Sequence, residues 1–303
     1  MLAPLLWTLG AGAAVWAQRA ARALRSERRF RTRFPVSATG IVRGAEPRTY
    51  EADGPRAMLL IHGYNDSPQS LDGIAQHVHA AGWTVRLPLL PGHGRSLSAF
   101  DHWTADDAID AVREEYATLR QRYSTIVVGG LSMGGALACW IAAEAAVDGV
   151  VLYAPMLYVP RPMEVAVSTA RLWSIFSRYM SGGGRRSVHD PEAARAMIAY
   201  GGSTRRSLEA LEKIANGAIL RLGFVHSPVL MMQSEEDNRL PRDQSLRAFT
   251  RLGAKDRTLE WTKGAGHVLT VDHGWEQVAA RTVQWLDERT PARHSGTFKV
   301  AAD

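Results

Sequence analysis

Cys139 is the only cysteine in the 303 residues. No disulfide can form within the chain, so a small fold stapled by cystines is excluded. No grouping of histidines and cysteines has zinc-finger spacing. No Walker or dinucleotide-binding glycine motif occurs, so no cofactor is implied. No nucleic-acid-binding motif accompanies the basic residues, which argues against a nucleic-acid partner. Internal repeats are absent. A full membrane-spanning apolar run is also missing. Leu2 to Ala17 is free of charge, but these 16 residues make a helix of about 24 Å, short of a bilayer core of about 30 Å.

What is present is an ordinary globular composition, 46% hydrophobic, long enough for one large α/β domain with an insertion. The net charge of +6 is unevenly placed. Residues 1–35 hold seven arginines against Glu27, and residues 156–226 carry +5, so the rest is net acidic. Such asymmetry points to contact with an anionic surface. For the arm 1–35, three readings compete. A signal peptide could be cut after Val15-Trp16-Ala17, but nothing basic precedes the apolar stretch. A packed surface helix is the second. An anchor or interfacial helix fits best, with positive charge held on the cytoplasmic side of a membrane.

From about residue 48, short β-type runs alternate with helical stretches. Ala57–Ile61, Thr84–Leu90, Thr125–Gly130, Gly149–Tyr153, Val229–Gln233 and Thr258–Trp261 read as strands. Pro68–Ala81 reads as a helix with Pro at its start and Gly82 after its end. Ala105–Arg122 has an apolar stripe of Ala108, Val112, Tyr116 and Leu119. Val278, Val283, Trp285 and Leu286 mark a closing helix. Strands separated by helices imply right-handed crossovers and a mainly parallel central sheet flanked by helices. Residues 156–226 break the rhythm. They hold no clear strand and exceed an ordinary crossover, so they read as a helical cap inserted into a core of 36–155 and 227–290. A polar tail, 291–303, follows and reads as flexible.

The sharpest chemical signal is Gly130-Leu131-Ser132-Met133-Gly134. It lies between an apolar strand and a small-residue helix, the context a nucleophile elbow requires. A serine hydroxyl is a poor nucleophile at neutral pH and needs a base, which needs an orienting acid. On this elbow the acid and then the histidine follow the serine in the chain. His267 sits on a glycine-rich loop directly after the last strand, with His273 as a rival. Asp237 stands at the turn after Val229–Gln233, with Glu235 and Glu236 as alternatives. Donors for an oxyanion come from the backbone N–H of Met133 and of Tyr64. His62 and His93 read as loop architecture.

These stretches resemble the α/β-hydrolase superfamily, and more narrowly bacterial carboxylesterases and monoacylglycerol lipases. The likeness rests on Gly44-Ala45-Glu46-Pro47, His62-Gly63-Tyr64, Leu90-Pro91-Gly92-His93-Gly94, Gly130-Leu131-Ser132-Met133-Gly134-Gly135, Glu235-Glu236-Asp237 with Leu240-Pro241, and Gly266-His267-Val268. It covers residues 34 to 289. It implies the α/β-hydrolase fold, a triad of Ser132, Asp237 and His267, and an oxyanion hole at Tyr64 and Met133. It further implies small-molecule ester or lipid substrates, with short or medium acyl chains and monoacylglycerols among them. The arm and the arginine-rich insertion depart from that pattern. Amide hydrolysis or acyl transfer on the same triad is the alternative chemistry, and a non-catalytic ligand-binding relative is the alternative class.

Overall fold

Every apolar run read as a strand is one in the computed structural model, which describes residues 2–181 and 187–290. The chain opens with α1 (Leu2–Arg33). It continues through β1 (Arg48–Tyr50), β2 (Arg56–Ile61), α2 (Asp72–Ala80), β3 (Thr84–Leu87), α3 (Leu97–Phe100), α4 (Ala105–Arg122), β4 (Thr125–Leu131), α5 (Met133–Glu144) and β5 (Gly149–Tyr153). A helical segment intervenes: α6 (Arg161–Ser168), α7 (Ala170–Phe176), β6 (Met180–Ser181), α8 (Pro191–Ala196), β7 (Gly202–Ser203) and α9 (Arg205–Arg221). The chain returns with β8 (Val229–Ser234), α10 (Arg242–Arg251), β9 (Arg257–Thr262) and α11 (Trp275–Arg289).

Seven strands form one sheet in the order β1-β3-β2-β4-β5-β8-β9. Only β1 runs antiparallel to its neighbour. Helices cover both faces, which is why the central strands are apolar throughout rather than alternating. Ala57, Leu59, Ile61, Ile126 and Val128 pack towards α4 and α5. Met58, Leu60, Val127 and Leu131 pack towards α2 and α11. Successive residues of a strand point to opposite faces, so one apolar run feeds two cores.

The helical segment lies between β5 and β8, and where the sequence shows no clear strand it contains the two-residue antiparallel pair β6–β7. β3 ends at Leu87 rather than Leu90 because Pro88 has no N–H for the ladder. α4 keeps its expected bounds. Thr104 accepts the Asp107 amide at 3.1 Å, and Asp107 accepts the Thr104 amide at 2.8 Å, a reciprocal cap. The glycines 182–184 and the tail 291–303 lie outside the described residues.

α1 is one helix of 32 residues. Its C-terminal end is packed, not free. Phe30 and Phe34 are buried against Val42, Ala45 and Leu97. Phe30 stacks on Tyr200 with centroids 4.9 Å apart, and Glu27 accepts the Leu97 amide at 3.0 Å. Further up, Trp16 and Leu24 are exposed. Among the described residues, no helix is long and apolar enough to cross a membrane.

The turn from β4 into α5 is where the fold is tightest. A Cβ on Gly134 would sit 2.0 Å from the Ile61 carbonyl oxygen, and one on Gly130 would sit 2.4 Å from the backbone of Gly134. The obstacles are backbone, which cannot swing aside. Gly134→Ala should therefore destabilise the protein by about 3 kcal/mol and abolish hydrolysis. Urea denaturation of the variant at unchanged stability would contradict this.

Candidate active site

The strand β4 delivers Ser132 into a conformation that L-residues rarely adopt, with φ 54° and ψ −112°. Strain of this kind costs about 1–3 kcal/mol and persists only where surrounding bonds enforce it. Here the Ser132 amide donates to the Tyr153 carbonyl at 2.9 Å, and the Met156 amide donates to the Ser132 carbonyl at 3.0 Å. The serine is thereby held between the end of β4, the central strand, and the start of α5.

His267 arrives on the loop after β9, and Asp237 on the turn after β8. The structure brings all three expected side chains together. The Ser132 hydroxyl lies 2.9 Å from His267 Nε2, and His267 Nδ1 lies 2.8 Å from Asp237 Oδ2. An ionised carboxylate only accepts, so Nδ1 carries the proton and Nε2 is left as the acceptor facing the serine. Asp237 is itself held. Its Oδ1 accepts the amides of Arg239 at 2.7 Å and Leu240 at 3.0 Å, and its Oδ2 accepts Gln233 Nε2 at 2.6 Å. Burial alone would raise its pKa, but the His267 charge and hydrogen bond and the Leu240 and Arg239 amides outweigh burial and hold it below the usual carboxylate range.

The alternatives point elsewhere. Glu235 and Glu236 are exposed. Glu236 accepts the Gly264 amide at 2.8 Å, bracing the histidine loop from outside. His273 donates its amide to Asp272. His62 is buried and structural: its Nε2 accepts the Leu90 amide at 3.1 Å, and burial pushes its pKa well below the ordinary value. His93 is pushed down to about 4 by the same cause.

Tyr64 and Met133 flank the serine. Met133 is the first residue of α5, where an amide has no acceptor within its own helix. The turn carrying Tyr64 lies alongside, since a Cβ on Gly63 would be 3.6 Å from that of Ser132. The Tyr64 hydroxyl meets Ser207 Oγ at 2.7 Å, tying this turn to the start of α9.

Two carboxylates escaped the sequence reading. Asp272 is fully buried. Its Oδ2 accepts the amides of Gly266 at 2.6 Å and His189 at 2.7 Å, and its Oδ1 accepts those of Asp190 and His273 at 2.8 Å each. Burial raises its pKa, but the four amides prevail and hold it low. It fixes the residue before His267 and pins the helical segment to the same point. The one signal in the sequence is an acid closing the apolar run after His267. Asp66 is buried beside the Tyr64 turn and accepts Ser70 Oγ at 2.6 Å. Burial raises its pKa to about 6, against the pull of Ser70 and of the Ser67 and Gly63 amides. Among the described residues no group of three or more His, Cys, Asp or Glu side chains is placed to hold a metal ion.

The profile of the family described as serine aminopeptidase, S33, matches residues 53–274. The chain belongs to this family. Among its relatives is a thermostable monoacylglycerol lipase of Bacillus sp. (strain H-257), 28% identical over 84% of this chain and 98% of the lipase. A carboxylesterase of Bacillus subtilis (strain 168) is 22% identical over 80% of this chain and 96% of its own. A solved structure from the metagenome-derived lipolytic pair LipS and LipT superposes with a TM-score of 0.75 at 26% identity, covering 82% of this chain and 99% of that one. The S33-family chain is thus a serine hydrolase of the α/β-hydrolase fold, of the carboxylesterase and lipase type.

Two outcomes are expected at this site. Ser132→Ala should lower kcat on an ester by about 10⁴–10⁶ with the fold retained by circular dichroism, and Asp237→Ala by about 10⁴, whereas Glu235→Ala and Glu236→Ala stay near wild type. A glutamate variant more damaging than Asp237→Ala would reassign the acid.

The second concerns pH. Asp66 has a folded pKa of about 6, above an unfolded value of about 3.9. Between those values only the unfolded chain ionises, so this carboxyl's contribution to stability falls as pH rises through the window and is level above it. Wild type should lose up to about 3 kcal/mol relative to Asp66→Asn between pH 4 and pH 7 in urea titrations. A difference independent of pH would show that Asp66 does not titrate there.

Proposed function

We propose that this enzyme hydrolyses carboxylic esters of short or medium acyl chains, monoacylglycerols among them, through an acyl-enzyme on Ser132. The observation that carries the proposal is the unbroken hydrogen-bond chain from Ser132 through His267 to Asp237. Ser132 Oγ attacks the carbonyl carbon while His267 Nε2 takes its proton. The oxyanion forms beside the amides of Met133 and Tyr64. His267 returns the proton to the departing alcohol, and water activated by the same nitrogen releases the acid. Asp237 holds the imidazole and stabilises its charged form. Residues 156–226 act as the cap over the acyl chain.

An aminopeptidase must also hold a substrate ammonium, which calls for a free carboxylate near the serine. The three buried carboxylates described there are all engaged, Asp237 by His267, Asp66 by Ser70 and Asp272 by four backbone amides. Esters are therefore favoured over peptides within the family.

The substrate's apolar tail also suggests where the enzyme works. Trp16 and Leu24 on α1, and Leu172, Ile175 and Phe176 on α7, are exposed. The two helices are joined where Arg22 donates to the Phe176 carbonyl at 3.5 Å. Apolar groups rimmed by arginine suit an interfacial helix on an anionic leaflet, on the cytoplasmic side.

The test pairs a chain-length series of p-nitrophenyl esters and monoacylglycerols with an aminoacyl p-nitroanilide. Turnover of esters, with labelling by a fluorophosphonate that Ser132→Ala abolishes, is expected. Faster cleavage of the anilide would overturn the ester assignment. Deleting residues 2–17 should weaken sedimentation with anionic vesicles and leave hydrolysis of a soluble acetate ester unchanged. Equal vesicle binding would remove α1 from the interface.

A further inference from the structure

A cavity of about 420 Å³ lies where α1, the end of α3, α7 and the start of α9 meet. Four guanidinium groups line it, from Arg19, Arg178, Arg205 and Arg206, and the only acid among the lining residues is Asp101. That acid is committed to Arg178, whose Nε donates to it at 2.8 Å. Arg19 Nε is buried and has no hydrogen-bond partner among the described residues. Arg205 Nε makes a loose ion pair with Glu209 Oε1 at 3.6 Å, without a hydrogen bond. Arg206 makes no hydrogen bond or ion pair among the described residues.

Four like charges gathered round one cavity repel one another, and the two acids beside them, Asp101 and Glu209, offset only part of that charge. Arg205 and Arg206 stand in the first turn of α9, where no acidic residue is present and the helix dipole disfavours cations. A folding role would be served better by neutral side chains. The arrangement matches what an oxyanion with several acceptor oxygens requires: planar donors from different elements, one of them with a buried, unpartnered Nε.

We propose that this cavity is a binding site for a phosphate-bearing anion. Arg19, Arg205 and Arg206 donate to its oxygens, and Arg178 is held in place by Asp101. Two sources share this chemistry: free phosphate, and the phosphodiester of an anionic lipid headgroup. The lipid source rests on the interfacial reading of α1, since Arg19 follows the uncharged stretch of that helix directly and the exposed Leu172 and Phe176 lie on α7. The site itself does not depend on that reading, nor on the ester assignment.

The experiment uses the full chain. One arm measures binding of inorganic phosphate by calorimetry. The other measures sedimentation with phosphatidylglycerol vesicles, with phosphatidylcholine vesicles as the uncharged reference. Each is repeated on Arg19→Gln/Arg206→Gln and on Arg28→Gln/Arg29→Gln, which removes equal charge from α1 outside the cavity. The expected result is a Kd raised about tenfold or more by the cavity variant in at least one arm, with the α1 control near wild type. The arm that responds identifies the source. Vesicle binding lost equally in both variants would mean diffuse attraction by the arm and overturn the site while leaving the interfacial helix intact. No binding in either arm would overturn both the site and its lipid source. Loss of vesicle binding on deleting residues 2–17, with phosphate binding kept, would retain the site and assign the membrane contact to the apolar stretch alone.

Discussion

The rest of the structure depends on one steric constraint, the passage of backbone against backbone at the turn after β4. The Ile61 carbonyl and the start of α5 approach so closely that position 134 admits no side chain. That approach forces Ser132 into its left-handed conformation, and β2 and β5 flank the turn as rigid walls. The consequence is chemical. A serine on a relaxed turn would lower its hydroxyl towards the sheet, whereas this one presents it to His267. Stability given up locally is offset by the two cores on either face of the sheet.

Around that point the polar residues divide into two tiers. His267 and Asp237 touch the serine directly or through one bond. Asp272 touches neither, yet its four amide bonds fix both the loop that carries His267 and the chain entering α8. Its ionised state is secured by those donors, while at Asp66 burial outweighs the Ser70, Ser67, Gly63 and His267 interactions and raises the pKa to about 6. Two buried carboxylates thus sit near one serine with opposite tendencies. The difference lies in the balance of the two effects: four backbone amides prevail over burial at Asp272, whereas burial prevails over the donors at Asp66.

Much of this was legible in the sequence because the relevant signals are local. Ser132 lies in a five-residue pattern with a strand before it and a helix after it. Asp237 and His267 follow the last two strands of the sheet, β8 and β9, so their order along the chain was enough to place them. α4 was readable because Ala108, Val112, Tyr116 and Leu119 form one stripe at helical spacing. What escaped is non-local. Asp272 draws its meaning from amides at 189 and 190, some eighty residues away. The edge strand Arg48–Tyr50 is three residues long and half-polar, so no period of two could emerge. The packing of Phe30 and Phe34 depends on Tyr200, from another part of the chain altogether. An apolar and basic arm reads the same way whether its end is free or seated.

The bond between Tyr64 and Ser207 has a mechanical corollary. Ser207 is the residue whose amide and hydroxyl complete the cap of α9, so the first turn of that helix and the turn beside the serine are coupled as one body. Further along, Trp140 of α5 donates to the Ile214 carbonyl at 3.0 Å, and Gly217 leaves no space for more than hydrogen against the indole. α9 is thereby riveted to the sheet's own layer at two places. α6 and α8 bury no residue fully, and α7 buries only Ala170. Elements with so little buried surface are the ones that open at low free energy. By that measure α6 and α7 are the most loosely held part of the segment, while α9 stays fixed to α5 and to the turn beside the serine.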